Sequence, residues 1–461
     1  MGNKNLDFLF RPASIAVVGA SAVPGKISSI ILESLKNSGY GGKVFLVNPG
    51  YESIGKERCY PSIASIGEEV DLALYAIPAA GVAESLREAA GRVKGAVIIG
   101  GGFGEAGEQG RAFEKEIKDI VRKEGVRVVG PNCMGVYDTV SRLDTFFVPA
   151  ERVKRPSRGG LSIISQSGSF AVTVMDELAA EGIGVARVVS YGNRVDVNES
   201  DCLDFLAADE HTKAVAVYME SVDEGRRFVE SASRCSAVKP VMAVKVGRHD
   251  AGVLAARSHT GAIAGRYEIY RAAFRKAGVI ELEGYEDFMD ACKAYGTQEA
   301  SGGNRVMIIT DGGGMGVSIA DACSKTGLEV PPLSADLADD LRSVFPPYFS
   351  VSNPMDLTGS ATDALYAEAL EKTMGGEGYD MAIVAALWGP PGLSDGLPAL
   401  IAEKAGLYGK PVIICSPGGE FSREKTRLFR AGNLPVFSTP ESAARAASAL
   451  AGGAKKVKAN G

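Results

Sequence analysis

Short runs of four to six apolar residues recur along this chain, each followed by a small or turn-forming residue and then by a helical pattern. Ile15–Val18 precedes Gly19, Leu161–Ile164 precedes Ser165, and Val306–Ile309 precedes Thr310. A continuous apolar run lying between amphipathic helices is the pattern of a parallel strand covered on both faces. The 57 glycines fit the many tight strand-to-helix turns that such a fold needs. The three runs stand about 150 residues apart, which suits one domain per run in a chain of 461 residues. Two breaks separate them: PAERVKRPSRGG over Pro149–Gly160 and QEASGGN over Gln298–Asn304. The domains are therefore expected at 1–148, 158–297 and 304–455, in an α/β protein of parallel sheets.

Composition narrows the function. Fifty basic against 56 acidic residues leave a net charge of −6, which argues against general nucleic-acid binding. No run approaches the ~20 apolar residues of a membrane helix. The opening MGNKNLDFLFRP is broken by Asp7, Arg11 and Pro12 and does not read as a secretory signal. The seven cysteines are scattered, and none pairs at metal-ligand or CxxC spacing, so a reduced cytoplasmic protein without a metal site is expected.

The first domain reads as Rossmann-like. Ile15–Val18 leads into Gly19-Ala20-Ser21 and then a helix, an arrangement that lets backbone and helix N–H groups approach a phosphate. The second glycine of a dinucleotide fingerprint is replaced by Ser21, and the next strand, Lys43–Val47, ends in Asn48-Pro49 where an NAD site wants an acid. Either the domain carries no ligand, or it holds a related adenine-bearing ligand differently. Further strand ends, at Ile77-Pro78, at Ile99–Glu105 and at Asn132-Cys133, would line one cleft. Cys133 has no basic neighbour in sequence and reads as a small packing residue rather than a nucleophile.

The second domain contains all three histidines. His211 and His249 sit in polar surroundings and read as solvated; His259 stands in the small-residue loop SHTGAIAG. A catalytic role for His259 and an ordinary loop position are both open on these grounds. Ser165-Gln166-Ser167-Gly168-Ser169 joins a strand to a helix and offers hydroxyls and free N–H groups for an anion, although helix capping needs only one such serine. Glu220 ends the strand Ala214–Met219, where an acid can orient an imidazole or simply cap a helix. In the third domain Gly312-Gly313-Gly314-Met315 follows the strand Val306–Thr310, which fits an anion nest or a helix packed closely on its sheet. No GxxxxGK[ST] loop occurs.

SQSGSF, the YMES strand end and SHTGAIAG together resemble the α subunit of ADP-forming acyl-CoA synthetases, a branch of the succinyl-CoA synthetase superfamily, and the resemblance covers essentially the whole chain. It implies a Rossmann-like CoA-binding domain followed by two flavodoxin-like domains. CoA would meet Gly19, Ala20, Ser21, Asn48, Pro49, Ile77, Pro78, Asn132 and Cys133. His259 would be the phosphohistidine, Glu220 would hold its ring, and Ser167, Gly168 and Ser169 with Gly312, Gly313, Gly314 and Met315 would bind phosphate. The same resemblance implies a β subunit of ATP-grasp fold holding ATP or ADP with Mg²⁺, an α2β2 assembly, and a small organic acid or acyl-CoA as substrate. A CoA-binding regulatory protein without turnover is the alternative; the presence of both His259 and Glu220 weighs against it. A nicotinamide oxidoreductase is disfavoured by Ser21 and Asn48.

Overall fold

A computed structural model describes residues 6–254 and 266–457. The chain forms two compact units. The first runs to Ala180 and resumes at Gly184–Leu282; the second takes Glu181–Ile183 and the chain from Glu283 onward.

The first unit holds two sheets. Strands β1 (Ser14–Val18), β2 (Lys43–Val47), β3 (Ser53–Ile54), β4 (Glu57–Tyr60), β5 (Val70–Tyr75), β6 (Val93–Ile98) and β7 (Arg127–Val129) form the first. Their order is β3-β4-β2-β1-β5-β6-β7, parallel except for β3. Without the β3 edge this is the 3-2-1-4-5-6 order of doubly wound dinucleotide-binding folds. β1 lies in the middle and is buried at all five positions, which is why it reads as unbroken apolar sequence.

The second sheet comprises β8 (Gly135–Asp138), β9 (Leu143–Asp144), β10 (Arg158–Ser165), β11 (Val185–Ser190), β12 (Ala214–Met219), β13 (Val241–Lys245) and β14 (Ile280–Leu282). The order is β14-β13-β12-β10-β11-β8-β9. Its parallel part, counted from β10, has the flavodoxin-like order 2-1-3-4-5. β8 and β9 fall within the 1–148 segment, yet they extend this second sheet as antiparallel edge strands. One continuous apolar core runs between the two sheets, from Leu6 and Phe8 through Val136 to Val217 and Phe274.

The second unit repeats the flavodoxin-like order with β15 (Val306–Thr310), β16 (Met355–Asp356), β17 (Met381–Ala385), β18 (Val412–Cys415) and β19 (Val436–Phe437), arranged β16-β15-β17-β18-β19 and all parallel. The helix Tyr285–Thr297, inside the 158–297 segment, belongs to this unit. It packs against the helix Pro440–Val457: Tyr295 donates to the Ala449 carbonyl at 2.8 Å, and Arg445 pairs with Asp287 and Asp290. No helix among the described residues is long and apolar enough to cross a membrane.

A buried ion cluster fixes the β8 edge. Arg187 on β11 is fully buried and bonds Asp138 on β8, while its Nε and Nη2 reach Asp209 at 3.0 and 2.8 Å. Its guanidinium lies 5.1 Å from the Phe10 ring centre. Burial alone would raise the Asp209 carboxyl, but the bonds from Arg187 and Thr212 outweigh it and hold it down to about 2. Removing one partner of such a cluster strands the others without compensation. Arg187→Met should cost about 3–5 kcal/mol in urea unfolding; a loss below about 1 kcal/mol, the size of a surface pair, would contradict this account.

In the second unit, burial pushes the Asp311 carboxyl up to about 6. Between its unfolded value near about 4 and that point the folded state binds more protons, so stability falls as pH rises through the window. Asp311→Asn should flatten that fall in urea midpoints, leaving the smaller slope due to Asp290, which burial also raises to about 6. An unchanged slope would refute the assignment.

Candidate active site

In a 2-1-3-4-5 sheet, the connections leave the first and third strands toward opposite faces and open a crevice at their carboxyl ends. In the second sheet those strands are β10 and β12. Gln166 directly follows β10, and its Oε1 accepts hydrogen bonds from the backbone N–H groups of Glu220 (2.8 Å) and Ser221 (3.1 Å), the two residues after β12. Ser165 Oγ donates to the Ser167 carbonyl at 2.6 Å and tightens the turn. The helix Gly168–Ala180 then begins, and Ser167 Oγ accepts from Phe170 N at 3.3 Å and lies 3.2 Å from Ser169 Oγ. Ser167 is thus the cap, while the first N–H groups of the helix remain available to an anion.

Glu220 is buried at 6% exposure. Its segment is held from a second side by Arg194, whose Nη1 donates to the Ser221 carbonyl at 2.5 Å and whose Nη2 donates to Ser221 Oγ at 2.8 Å. Lys245, at the end of β13, is buried with Nζ 4.8 Å from the Tyr270 ring centre. Burial lowers its ammonium to about 8, against the opposing effect of the Glu220 charge.

Gln166, Ser167, Gly168, Ser169 and Glu220 border a cavity of about 210 Å³ lined also by Ile99, Asn132, Cys133, Met134, Phe147, Gly192 and Asn193. The strand ends of the first sheet and the phosphate-type turn of the second therefore face one space. Gly192 has φ +56°, and a Cβ there would lie 2.2 Å from the Pro131 carbonyl oxygen, so only glycine allows the two loops to meet. Asn193 Nδ2 donates to Glu105 Oε2 at 2.7 Å, and Glu105 Oε1 accepts from Gly102 N and Phe103 N. Burial opposes ionisation of Glu105, but these bonds prevail and keep its carboxyl below the usual range. Burial pushes the Cys133 thiol up to about 12, which makes it a packing group rather than a nucleophile.

The remaining CoA-type positions lie at the carboxyl edge of the first sheet and do not line this cavity. Gly19 has φ +89°, and a Cβ there would sit 2.6 Å from the Ala76 oxygen; its role is the close approach of the β1 and β5 turns. Both ends of the Asn48 amide are taken by protein, Nδ2 by the Ala20 carbonyl and Oδ1 by Gly50 N. Ser21 Oγ accepts from Val23 N. Pro49 and Pro78 are exposed, and Ile77 is half-buried. The helices Ile27–Asn37 and Ala79–Ala89 start at Lys26 and Pro78 with no side-chain cap. These two open donor ends, with exposed Lys26 at one of them, fit the phosphates of a nucleotide-bearing cofactor.

The second unit repeats the turn. Asp311 follows β15 and accepts from Leu387 N, beyond β17, at 3.1 Å. Thr310 Oγ1 accepts from Gly312 N at 3.1 Å, and the helix Gly313–Lys325, which includes Gly314 and Met315, begins without a side-chain cap. Ser165-Gln166-Ser167 and Thr310-Asp311-Gly312 are thus the same device in two sheets.

Of the residues expected at a site, Asn132, Cys133, Ser167, Gly168, Ser169 and Glu220 share the cavity. His259 lies outside the described residues. His249 is exposed, and His211 lies beside Arg158, 3.3 Å from its Nη2. Sequence reasoning passed over Gln166, Gly192 and Asn193. Gln166 stands inside the SQSGS motif and Asn193 just beyond a strand end, so their positions were visible although their partners were not.

Models of three protein-domain families match successive parts of the chain. Residues 13–139 match the model of a CoA binding domain, 158–295 that of a succinyl-CoA ligase like flavodoxin domain, and 306–415 that of a Ligase-CoA domain. The chain is 36% identical to the α subunit of ADP-forming acetate–CoA ligase II of Pyrococcus furiosus, over 98% of both chains. It is 37% identical to ADP-forming acetate–CoA ligase I of Archaeoglobus fulgidus over 96% of its own length, but spans only 63% of that relative. Among solved structures, an acetyl-coenzyme A synthetase of Ca. Korarchaeum cryptofilum in complex with phosphate and ADP superposes with a TM-score of 0.91 at 32% identity, over 99% of each chain. With that identity sustained over nearly full length, and with both flavodoxin-like sheets and the CoA-type sheet in place, the chain belongs to the family of ADP-forming acetate–CoA ligase α subunits.

Proposed function

We propose that this chain is the CoA-binding, phosphohistidine-carrying subunit of an ADP-forming acyl-CoA synthetase. The observation that carries the reading is the single cavity in which Asn132 and Cys133 of the CoA-type sheet face Ser167–Ser169 and Glu220. In this reading residues 1–148 hold CoA, 158–297 carry the phosphoryl relay, and 304–455 form a second phosphate-binding ligase module.

The chemistry follows from the parts. A phosphate oxygen attacks the thioester carbonyl carbon; the C–S bond breaks, and CoA leaves as the thiolate and takes up a proton. The acyl phosphate so formed keeps its phosphoryl group against the N–H groups that open the helix Gly168–Ala180, where the helix dipole favours negative charge. A neutral imidazole nitrogen of His259 then attacks phosphorus, and the P–O bond to the acyl group breaks, releasing the carboxylate. Histidine suits this step because its free nitrogen is nucleophilic near neutral pH. Glu220 accepts the second ring N–H and balances the imidazolium that develops. The phosphoryl group finally passes to ADP, giving ATP. The uncapped Gly313–Lys325 helix offers a second set of N–H donors for phosphate.

The nucleotide belongs to a partner. The sequence has no GxxxxGK[ST] loop for a nucleoside triphosphate. It corresponds to a whole α subunit in one relative and to 63% of another, and the remainder of that longer relative is what a second subunit would supply. We assign that role to an ATP-grasp β subunit that binds ADP with Mg²⁺, in a cytoplasmic α2β2 enzyme acting on a small organic acid.

Binding and turnover measurements test this. In calorimetric titration the full chain should bind CoA and not NAD, since β2 ends in Asn48 rather than an acid; NAD binding without CoA binding would overturn the cofactor assignment. Mixed with its β partner, the chain should form ATP from acetyl-CoA, phosphate and ADP, and alone it should form none. His259→Ala should abolish that turnover with CoA affinity unchanged, and Glu220→Gln should slow it about 10- to 100-fold, as when a working imidazole loses the acceptor on its other ring nitrogen. Full activity in His259→Ala would refute the relay.

A further inference from the structure

Gln166 holds a feature that the relay does not use. Its side chain is more than nine-tenths buried and borders the cavity. Its Oε1 is taken by two backbone donors, Glu220 N and Ser221 N. Turning the amide over would leave both buried N–H groups facing a donor, which is unfavourable. The carboxamide is therefore locked in one orientation, and the assignment of its oxygen and nitrogen follows from the network. Its Nε2 group has no hydrogen-bond partner among the described residues. The Nε2 atom itself is not buried, so it opens on the cavity and its donors are available to a ligand there.

The surroundings name the ligand. The donor stands one residue before the turn whose Ser167 caps the Gly168–Ala180 helix, so the helix N–H groups and the amide face the same space. Neutral donors at a helix start select an oxyanion. We infer that Gln166 contacts substrate directly: its Nε2 group donates to a phosphoryl oxygen of phosphate or acyl phosphate bound at the start of the helix Gly168–Ala180. This rests on the proposed ligase reading. It adds a residue that does two jobs with one amide, since the oxygen sets the Glu220 backbone and the nitrogen binds the anion.

Gln166→Glu separates the two jobs. A carboxylate keeps an acceptor for Glu220 N and Ser221 N but replaces the donor with a repelling oxygen. With the β partner present, the KM for phosphate should rise about 10- to 100-fold, as expected for one hydrogen bond to a charged group. The KM for acetyl-CoA and the thermal midpoint should stay near wild type. Gln166→Leu should raise the phosphate KM and also lower the midpoint, because both backbone donors lose their acceptor. Phosphate affinity of the full chain alone, from ³¹P line broadening, should weaken by the same factor in Gln166→Glu, and this arm does not depend on turnover. If wild type lacks activity yet binds phosphate and Gln166→Glu weakens that binding, the ligase reading fails and the phosphate contact stands. A phosphate KM and affinity within about twofold of wild type in Gln166→Glu would overturn the inference.

Discussion

One hydrogen-bonded junction positions the site, the pair of bonds from Glu220 N and Ser221 N to Gln166 Oε1. Where β10 and β12 diverge, backbone N–H groups at the strand ends have no sheet partner, and leaving them buried and unpaired would be costly. A side chain from the first turn supplies the acceptor. That choice fixes Glu220, aims the start of the Gly168–Ala180 helix, and leaves the crevice open rather than filled. The second unit solves the same problem with Asp311 and Leu387 N. There the acceptor is a carboxyl whose pKa burial raises, so the two junctions share geometry and differ in charge.

Around this junction the molecule is built from loop contacts more than from loop flexibility. Gly192 lets the β11 loop touch the β7 loop, Asn193 and Glu105 tie the two sheets together, and Arg194 clamps Ser221 from behind. The cavity is thereby framed by side chains that are themselves bonded. Pre-set donors of this kind favour a charged transition state because they need little reorganisation.

Much of the fold was legible in the sequence because parallel strands buried on both faces leave unbroken apolar runs; Lys43–Val47 and Ala214–Met219 coincide with their strands. The edge strands β8 and β9 were not legible, since strands of four and two residues carry no period of their own, and their place depends on Arg187 meeting Asp138. The helix Tyr285–Thr297 follows the second sheet in sequence but packs in the second unit, a choice made by Arg445 and Tyr295 across 150 or so residues of chain. At the site, residue types and strand ends pointed to Glu220 and the serine turn. Partners that require tertiary contact, such as Gln166 with Glu220 N, could not be read from spacing. Asn48, which the resemblance sets against CoA, has both ends of its amide engaged in the turn that follows β2.

The most direct test of the central claim is a crystal structure of the full chain soaked with phosphate and CoA. The account predicts phosphate against the first N–H groups of the Gly168–Ala180 helix and the CoA thiol entering the same cavity past Asn132 and Cys133. Phosphate bound only elsewhere, or a CoA thiol directed away from that cavity, would contradict it.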